Sequence, residues 1–84
     1  MGKIGVVIKL MPESPETDLE KIKEEVKKLI DVSDMDEENV AFGLKAVMVS
    51  TVVKDDEGGT DKVEEKLSSI EGVQSVDVED VQKL

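Results

Sequence analysis

The sequence predicts an α+β fold in which four strands and two helices follow one another in the order βαββαβ. Stretches in which apolar residues alternate indicate the strands, and stretches in which they recur every three or four positions indicate the helices. Phe42 and Gly43 lie between two strand patterns and are typical of a tight hairpin, because glycine adopts backbone conformations that other residues avoid. The chain is therefore expected to be organised around this hairpin.

The first strand is predicted over Lys3–Met11, where an apolar residue occupies every second position. Pro12 and Pro15 end this strand and open a loop, since proline lacks the backbone N–H that a sheet uses. One face of the strand is expected to enter the core, and it carries Ile4, Val6, Ile8 and Leu10.

The first helix is predicted to begin at Thr17. Thr17 and Glu20 have the spacing of a capping box, in which the hydroxyl and the carboxylate bind free backbone N–H groups. The helix is expected to end near Asp31 or Val32. Its apolar stripe consists of Leu19, Ile22, Val26, Leu29 and Ile30.

The second and third strands are expected on either side of the Phe-Gly pair. The second is predicted over about Met35–Ala41, although its first part lacks a clear alternation. The third is predicted over Leu44–Lys54, where apolar residues occur on both faces. A strand that is apolar on both faces is typical of the interior of a sheet, so the third strand is expected to be central.

The second helix is predicted to have Thr60 as its cap and Gly72 as the residue that ends it. The fourth strand is predicted over Val73–Val81. Its apolar period shifts after Val73, which indicates a β-bulge or an edge position. The residues Gln82–Leu84 are expected to form a tail. The buried side of the second helix is predicted to carry Val63, Leu67 and Ile70.

This order of elements is the split βαβ pattern of ferredoxin-like domains. Each βαβ half crosses right-handedly, which places both helices on one face of an antiparallel sheet with the first and third strands central. The 84 residues suffice for one modest aliphatic core, so residues 1–84 are expected to form a single domain. We also expect the C-terminal residues Gln82–Leu84 to lie near the Phe42 hairpin.

The composition excludes several kinds of chemistry. The chain has no Cys and no His, and all eleven basic residues are Lys, which removes disulfides, Ser-His nucleophiles and arginine fingers. Neither a cofactor nor a metal is expected. The formal net charge of −10 repels nucleic acid and anionic membranes and favours a partner with a basic face. No signal peptide or membrane span is recognisable, so a cytoplasmic location is expected.

Three polar segments each allow two interpretations. Asp55–Glu57 offers oxygen ligands to a divalent cation but lacks the spacing of an EF-hand loop, and it is otherwise a solvated turn. Asp34–Glu38 allows the same two interpretations. Gly58–Thr60 precedes a helix and offers N–H groups to a phosphate, which the acidic residues before it would repel; otherwise it forms an ordinary helix-cap turn.

Two single residues also remain open on composition alone. Phe42, the only aromatic residue, is either a core residue or an exposed anchor for a partner. Lys83 is either an ordinary solvated lysine near a chain end or a functional cation. The sequence leaves the oligomeric state undecided.

Five segments in fixed order extend this interpretation: Ile8–Pro15, Val40–Ala46, Val52–Thr60, Glu71–Val78 and Val81–Leu84. Together they resemble the archaeal elongation factor 1-beta family, and the resemblance covers essentially the whole chain. The sequence departs from the family at Asn39, where many members carry proline. This departure affects the rigidity of the hairpin.

The resemblance implies a guanine-nucleotide exchange factor for elongation factor 1-alpha, the GTPase that brings aminoacyl-tRNA to the ribosome. It implies that the hairpin tip, Phe42 with Gly43, docks on the GTPase. It also implies that Lys83 and Leu84 contact the GTPase, and that Lys83 reaches the nucleotide site and acts there as the catalytic group. Such a factor accelerates nucleotide release without covalent chemistry, so the chain is not expected to be an enzyme.

Two other functions are compatible with the residues. The first is a small-ligand-binding regulatory module of the same fold, which would have no effect on a GTPase. The second is a small enzyme, for which the sequence lacks a nucleophile or base motif.

Overall fold

Four strands and two helices make up the computed structural model, which describes residues 2–54 and 59–83. The strands form one antiparallel sheet in the order β2-β3-β1-β4. The predicted ferredoxin-like fold and the central positions of the first and third strands are therefore confirmed. In chain order the elements are β1 (Lys3–Pro12), α1 (Leu19–Leu29), β2 (Val32–Asn39), the 3-10 turn Ala41–Gly43, β3 (Lys45–Lys54), α2 (Gly59–Ser68) and β4 (Val73–Lys83).

The core lies between one face of the sheet and the two helices. The register of β1 and β3 sets Ile8 opposite Val49, so the alternating residues of both central strands share this face. Thr51 is also buried there, and its hydroxyl donates a hydrogen bond to the backbone carbonyl of Asp31. The predicted apolar faces are confirmed, since the core includes Ile4, Val6, Ile8, Leu10, Ile22, Val26, Val63, Leu67 and Ile70.

The first helix is capped by Asp18 rather than by Thr17. Asp18 Oδ1 accepts hydrogen bonds from the N–H groups of Glu20 at 3.1 Å and Lys21 at 3.3 Å. These contacts stabilise a helix end whose first N–H groups have no partner within the helix. Thr17 Oγ1 instead accepts from the N–H of Ser14 at 3.1 Å and so stabilises the preceding loop. The predicted capping box was wrong because two adjacent residues can both act as caps.

Two other boundaries differ because β2 begins earlier than expected. It covers Val32–Asn39 and not Met35–Ala41, and α1 accordingly ends at Leu29, ahead of the predicted Asp31 or Val32. β2 is an edge strand with six exposed side chains. An edge strand with so little buried surface has no strong apolar alternation for the sequence to reveal.

The second helix begins at Gly59, so Thr60 lies inside its first turn rather than capping it. Gly72 was predicted to end this helix, but the helix ends at Ser68, and Gly72 instead turns the chain towards β4. The φ of Gly72 is +96°, in the region that favours glycine. A Cβ at Gly72 would lie 3.0 Å from Thr17 Cγ2, so close packing also favours a glycine at this position.

The fourth strand covers Val73–Lys83 and extends beyond the predicted end at Val81. Its register with β1 skips Gln74 and Glu79. The first irregularity confirms the predicted shift after Val73, whereas the second was not predicted. β4 is the other edge strand, and bulges at sheet edges hinder pairing with a further chain.

Candidate functional site

A closed loop forms the tip of the β2–β3 hairpin. The N–H of Val40 donates to the carbonyl of Leu44 at 2.8 Å, and the N–H of Leu44 donates to the carbonyl of Ala41 at 3.2 Å. These backbone bonds define the loop and leave Phe42 and Gly43 at its end. The predicted tight hairpin is confirmed.

The backbone of Phe42 is left-handed, with φ 61° and ψ 32°, and Gly43 follows with φ 77°. In this region the Cβ of an L-residue crowds the next carbonyl oxygen, at a cost of roughly 1–2 kcal/mol. Among the described residues, Phe42 is the only non-glycine residue with positive φ. Backbone strain of this kind is concentrated at functional sites, where the surrounding structure enforces it.

The Phe42 side chain is 93% exposed. The interpretation of Phe42 as a core residue is therefore wrong, and the interpretation as an exposed anchor remains. A large apolar ring has little reason to stand alone in water, whereas it fits the apolar pocket of a partner well. Its position on a hydrogen-bonded turn means that little conformational freedom would be lost on binding.

Lys83 is the last described residue of β4 and lies opposite Ile4 of β1. Gln82 lies opposite Gly5 in the same way, so the predicted tail is wrong for both residues. The Lys83 side chain is exposed, and in the described part of the chain no carboxylate oxygen lies within 4.0 Å of its ammonium. Leu84, the other predicted C-terminal contact residue, lies outside the described residues.

Phe42 and Lys83 lie at opposite ends of the sheet. The tip that carries Phe42 continues from the end of β3 at Lys45, whereas Lys83 lies beside Ile4, which pairs with Val53 at the other end of β3. Val53 follows Lys45 by eight positions along β3, which corresponds to about 26 Å of strand. The expectation that the C-terminal residues lie near the hairpin is therefore wrong.

The antiparallel topology explains this separation. β1 runs towards the end of the sheet that carries the hairpin tip, and β4 is antiparallel to β1 and runs away from it. In a βαββαβ chain the C-terminus therefore lies at the end opposite the turn between the second and third strands. A single partner contacts both Phe42 and Lys83 only if its surface follows the length of the sheet.

Two sets of ion pairs connect β2 to the rest of the domain. Lys23 Nζ of α1 donates a hydrogen bond to Glu37 Oε2. This bond and the lysine charge hold the pKa of Glu37 below its usual value, and the same bond raises the pKa of Lys23. On the other face, Lys9 Nζ lies 3.9 Å from Glu38 and 4.0 Å from Glu79, which links β1 to both edge strands.

The acidic segments do not form a recognisable metal site in the described part of the chain. Asp34–Glu38 lies in β2, where successive side chains point to opposite faces. Within residues 2–54 and 59–83, no three His, Cys, Asp or Glu side chains are grouped so that they could hold a metal ion. Asp55–Glu57 and Gly58 lie outside the described residues, so their binding roles stay predictions.

A search of the described helices for membrane-spanning segments gives a negative result. Neither α1 nor α2 combines the length and the apolar character that crossing a bilayer requires.

The sequence interpretation missed one charged surface, a cleft at the end of the sheet that carries Lys83. Lys62 and Lys66 lie four residues apart in α2 and therefore share a helix face, which is visible in the sequence. Their approach to lysines of α1 and β3 depends on tertiary packing and is not visible in the sequence. The lysines that line this cleft are Lys27, Lys28, Lys54, Lys62 and Lys66.

A family model and several relatives of this chain agree on one family. A sequence description of the EF-1 guanine nucleotide exchange domain matches residues 5–84. Elongation factor 1-beta of Methanothermobacter thermautotrophicus is 49% identical over 88 aligned residues, which cover 100% of this chain and 99% of the relative. Elongation factor 1-beta of Methanosphaera stadtmanae is 46% identical over 87 residues, with the same coverage. The protein of the same name from Methanosarcina barkeri is 44% identical over 89 residues, covering 100% of both chains.

The fold and its exposed aromatic tip define a small α+β domain of ferredoxin-like topology that presents one large apolar side chain at the end of a hairpin. The chain belongs to the elongation factor 1-beta family and carries the EF-1 guanine nucleotide exchange domain of that family. The resemblance based on five sequence segments is thereby confirmed.

Proposed function

We propose that this chain promotes the exchange of GDP for GTP on elongation factor 1-alpha, with Phe42 as its docking anchor and Lys83 as its active group. Membership of the family supports the class of activity. The observation that carries the docking assignment is the 93% exposure of Phe42 on a strained, hydrogen-bonded turn. Residues 1–84 act as one exchange domain in the cytoplasm, and no covalent bond is made or broken.

Docking depends on Phe42. Burying a phenylalanine side chain contributes about 1.5–3 kcal/mol, which corresponds to roughly a tenfold to hundredfold change in the dissociation constant. Gly43 supports this role because its φ of 77° completes the left-handed turn, a backbone conformation that glycine adopts without strain. The tip therefore suits an apolar pocket on the GTPase.

Nucleotide release depends on Lys83. A GTPase holds GDP through a phosphate-cradling loop and a Mg²⁺ ion that bridges phosphate oxygens. An exchange factor accelerates release if it binds the form with weakened nucleotide contacts more tightly than the GDP-bound form. The lysine ammonium is a compact charge on a flexible stem, suited to acidic groups near the metal position. By thermodynamic linkage, the exchange factor lowers the affinity of the GTPase for nucleotide by the same ratio as bound nucleotide lowers the affinity of the GTPase for the exchange factor.

The distance between the two groups gives them separate roles. The sheet between Phe42 and Lys83 is a hydrogen-bonded ladder and keeps them about 26 Å or more apart along the strands. They therefore contact different parts of the GTPase. Phe42 determines how tightly the factor binds, whereas Lys83, with Leu84 beside it in the chain, determines how fast bound nucleotide leaves.

Release of fluorescent GDP from elongation factor 1-alpha tests the proposal. Lys83→Ala is expected to abolish most of the stimulation, and Lys83→Arg to restore little of it, because a planar guanidinium does not replace a compact cation. Lys3→Ala is the matched control, since it removes the same charge from an exposed lysine at the same end of the sheet. If the unaltered chain leaves GDP release unchanged, the function is wrong; if Lys83→Ala is fully active, the role of Lys83 is wrong.

A small-ligand regulatory module of the same fold remains the alternative. One observation favours it, namely the cleft lined by five lysines. This function predicts a ligand-dependent rise in the melting temperature and no effect on GDP release.

A further inference from the structure

The cleft between the C-terminal end of α1, the end of β3 and one side of α2 concentrates positive charge on an acidic chain. Five of the eleven lysines line it, whereas the whole chain has a net charge of −10. Among the described lining residues, Asp31 is the only acidic one. The described residues that line the cleft therefore carry a charge opposite in sign to that of the whole chain.

Three of these lysines have no carboxylate partner in the part of the chain that the structure describes. Lys28 pairs with Glu25 at 3.7 Å. The ammonium groups of Lys27, Lys62 and Lys66 have no carboxylate oxygen within 4.0 Å among residues 2–54 and 59–83. Since the chain carries 21 acidic residues, this lack of pairing leaves a positive potential that an external anion can use.

Helix stabilisation explains only part of this arrangement. Lys27 and Lys28 lie in the last turn of α1, where a positive charge interacts favourably with the helix dipole. Lys62 is the fourth residue of α2 and lies near its N-terminal end, where the same dipole disfavours a cation. The helix dipole therefore does not account for the position of Lys62, which adds charge to the cleft.

The dimensions of the cleft fit a small anion. Its volume is about 400 Å³, within the range of small-ligand sites and too small for a nucleic-acid duplex. Leu29, Val53 and Val63 contribute apolar surface to its lining. Apolar walls reduce the effective dielectric constant, so each lysine attracts an anion more strongly than it would on an open surface.

We infer that this cleft binds a phosphate chain, that is, an anion with three or more negative charges on linked phosphate groups. Lysine donors arranged around a short polyanion suit such a ligand, because each ammonium acts as a point charge without a fixed geometry. The lining lysines come from α1, β3 and α2, so the folded domain assembles the site. The inference involves neither Phe42 nor Lys83 and does not depend on the proposed exchange activity.

Isothermal titration of the full chain with inorganic tripolyphosphate, without divalent metal, tests the inference. We expect one saturable site whose affinity falls as KCl is raised. Lys62→Gln with Lys66→Gln is expected to weaken binding at least about tenfold, since two charge-assisted contacts are lost. Lys3→Gln with Lys45→Gln is the matched control, because it makes the same change in net charge at exposed positions outside the cleft. This control is expected to change affinity less than about twofold, the effect of screened long-range charge.

A parallel titration with GTP distinguishes the two sources of a phosphate chain. Equal affinities for GTP and tripolyphosphate mean that the cleft recognises phosphate alone, whereas tighter binding of GTP means that it also contacts the nucleoside. The inference is overturned if the unaltered chain does not bind tripolyphosphate, or if both pairs of substitutions weaken binding equally. Circular dichroism of each variant verifies that the fold is retained.

Discussion

Phe42 and Lys83 lie at opposite ends of one antiparallel sheet: Phe42 is on the tip next to Lys45 of β3, and Lys83 is at the level of Val53, eight positions further along that strand. The backbone ladder fixes this spacing, so the two groups cannot converge on a single pocket. For an exchange factor this arrangement separates affinity for the GTPase from the acceleration of release. The two properties should respond independently to substitution.

The Phe42→Ala variant should bind the GTPase more weakly without losing its maximal effect. Loss of a buried ring is expected to raise the half-saturating concentration by roughly tenfold to a hundredfold. The rate of GDP release at saturation should stay near that of the unaltered chain, because Lys83 is still present. The measurement is the GDP release rate as a function of factor concentration.

Val52→Ala is the matched control for this prediction. Val52 is also a large apolar residue with an exposed side chain, but it lies in β3 away from the tip. An equal loss of affinity in Val52→Ala, or no loss in Phe42→Ala, would contradict the docking role of Phe42.

Two glycines with positive φ should differ in their tolerance of alanine. Gly43→Ala introduces a Cβ that meets no atom within 4 Å, so its cost is the left-handed conformation alone, about 1–2 kcal/mol. Gly72→Ala should cost more, because its Cβ would also lie 3.0 Å from Thr17 Cγ2. Urea unfolding measures both free energies.

Thr17→Ser identifies the steric part of the Gly72→Ala cost. Serine lacks the Cγ2 methyl but keeps the hydroxyl that accepts the N–H of Ser14. We expect Thr17→Ser to recover stability when it is combined with Gly72→Ala and to recover none with Gly43→Ala. Equal free energies of unfolding for the two alanine variants would contradict the close packing at Gly72.

The Asp18→Ala variant should destabilise the domain by about 1 kcal/mol, because two N–H groups at the start of α1 lose their acceptor. Amide hydrogen exchange should increase first at Glu20 and Lys21. Asp31→Ala is a suitable comparison, since Asp31 lies between α1 and β2 and caps no helix in the described residues. If the exchange at Glu20 is unaffected, Asp18 is not the cap.

The Lys23–Glu37 pair should have a defined pH window. Because the folded-state pKa of Glu37 is lowered, its contribution to stability is present above the unfolded value of about 4.3 and is lost as pH falls through the folded value. Because the pKa of Lys23 is raised, its contribution is present below about 10.4 and is lost as pH rises through the folded value. Both groups are therefore ionised at neutral pH.

A carbon-detected NMR titration of the Glu37 carboxyl group measures this coupling. In Lys23→Gln the pKa of Glu37 should rise towards its ordinary value, because its hydrogen-bond donor and the nearby charge are gone. Lys21→Gln removes a lysine that makes no contact with Glu37 in the described structure and should leave that pKa unchanged. A Glu37 pKa that is the same in both variants would contradict the ion pair.

Much of the fold could be predicted from the sequence because the buried faces are long and aliphatic. The apolar alternation that includes Ile8 is buried only if the segment is a strand, and the apolar stripe that includes Val26 is buried only if the segment is a helix. Edges and caps were harder. β2 has few buried residues to reveal its bounds, and Asp18 and Thr17 are adjacent residues of equal capping ability.

The candidate site was only partly predictable for a different reason. A Phe-Gly pair predicts a turn, but the exposure of Phe42 follows from its own φ and from the loop hydrogen bonds, which the pattern does not give. The opposite positions of Phe42 and Lys83 follow from strand direction in the βαββαβ order and could have been derived before the structure. The lysine-lined cleft could not have been derived from the sequence, because Lys54 and Lys62 belong to different elements and no local sequence pattern specifies how those elements pack.

The competition between the unaltered chain and Lys83→Ala tests the central claim most directly. In the proposed mechanism Lys83→Ala still docks through Phe42, so an excess of it should occupy elongation factor 1-alpha and suppress the GDP release stimulated by the unaltered chain. Adding Phe42→Ala to the same variant should remove this inhibition. If Lys83→Ala instead stimulates release as fast as the unaltered chain, docking and release are not divided between these two residues and the account is wrong.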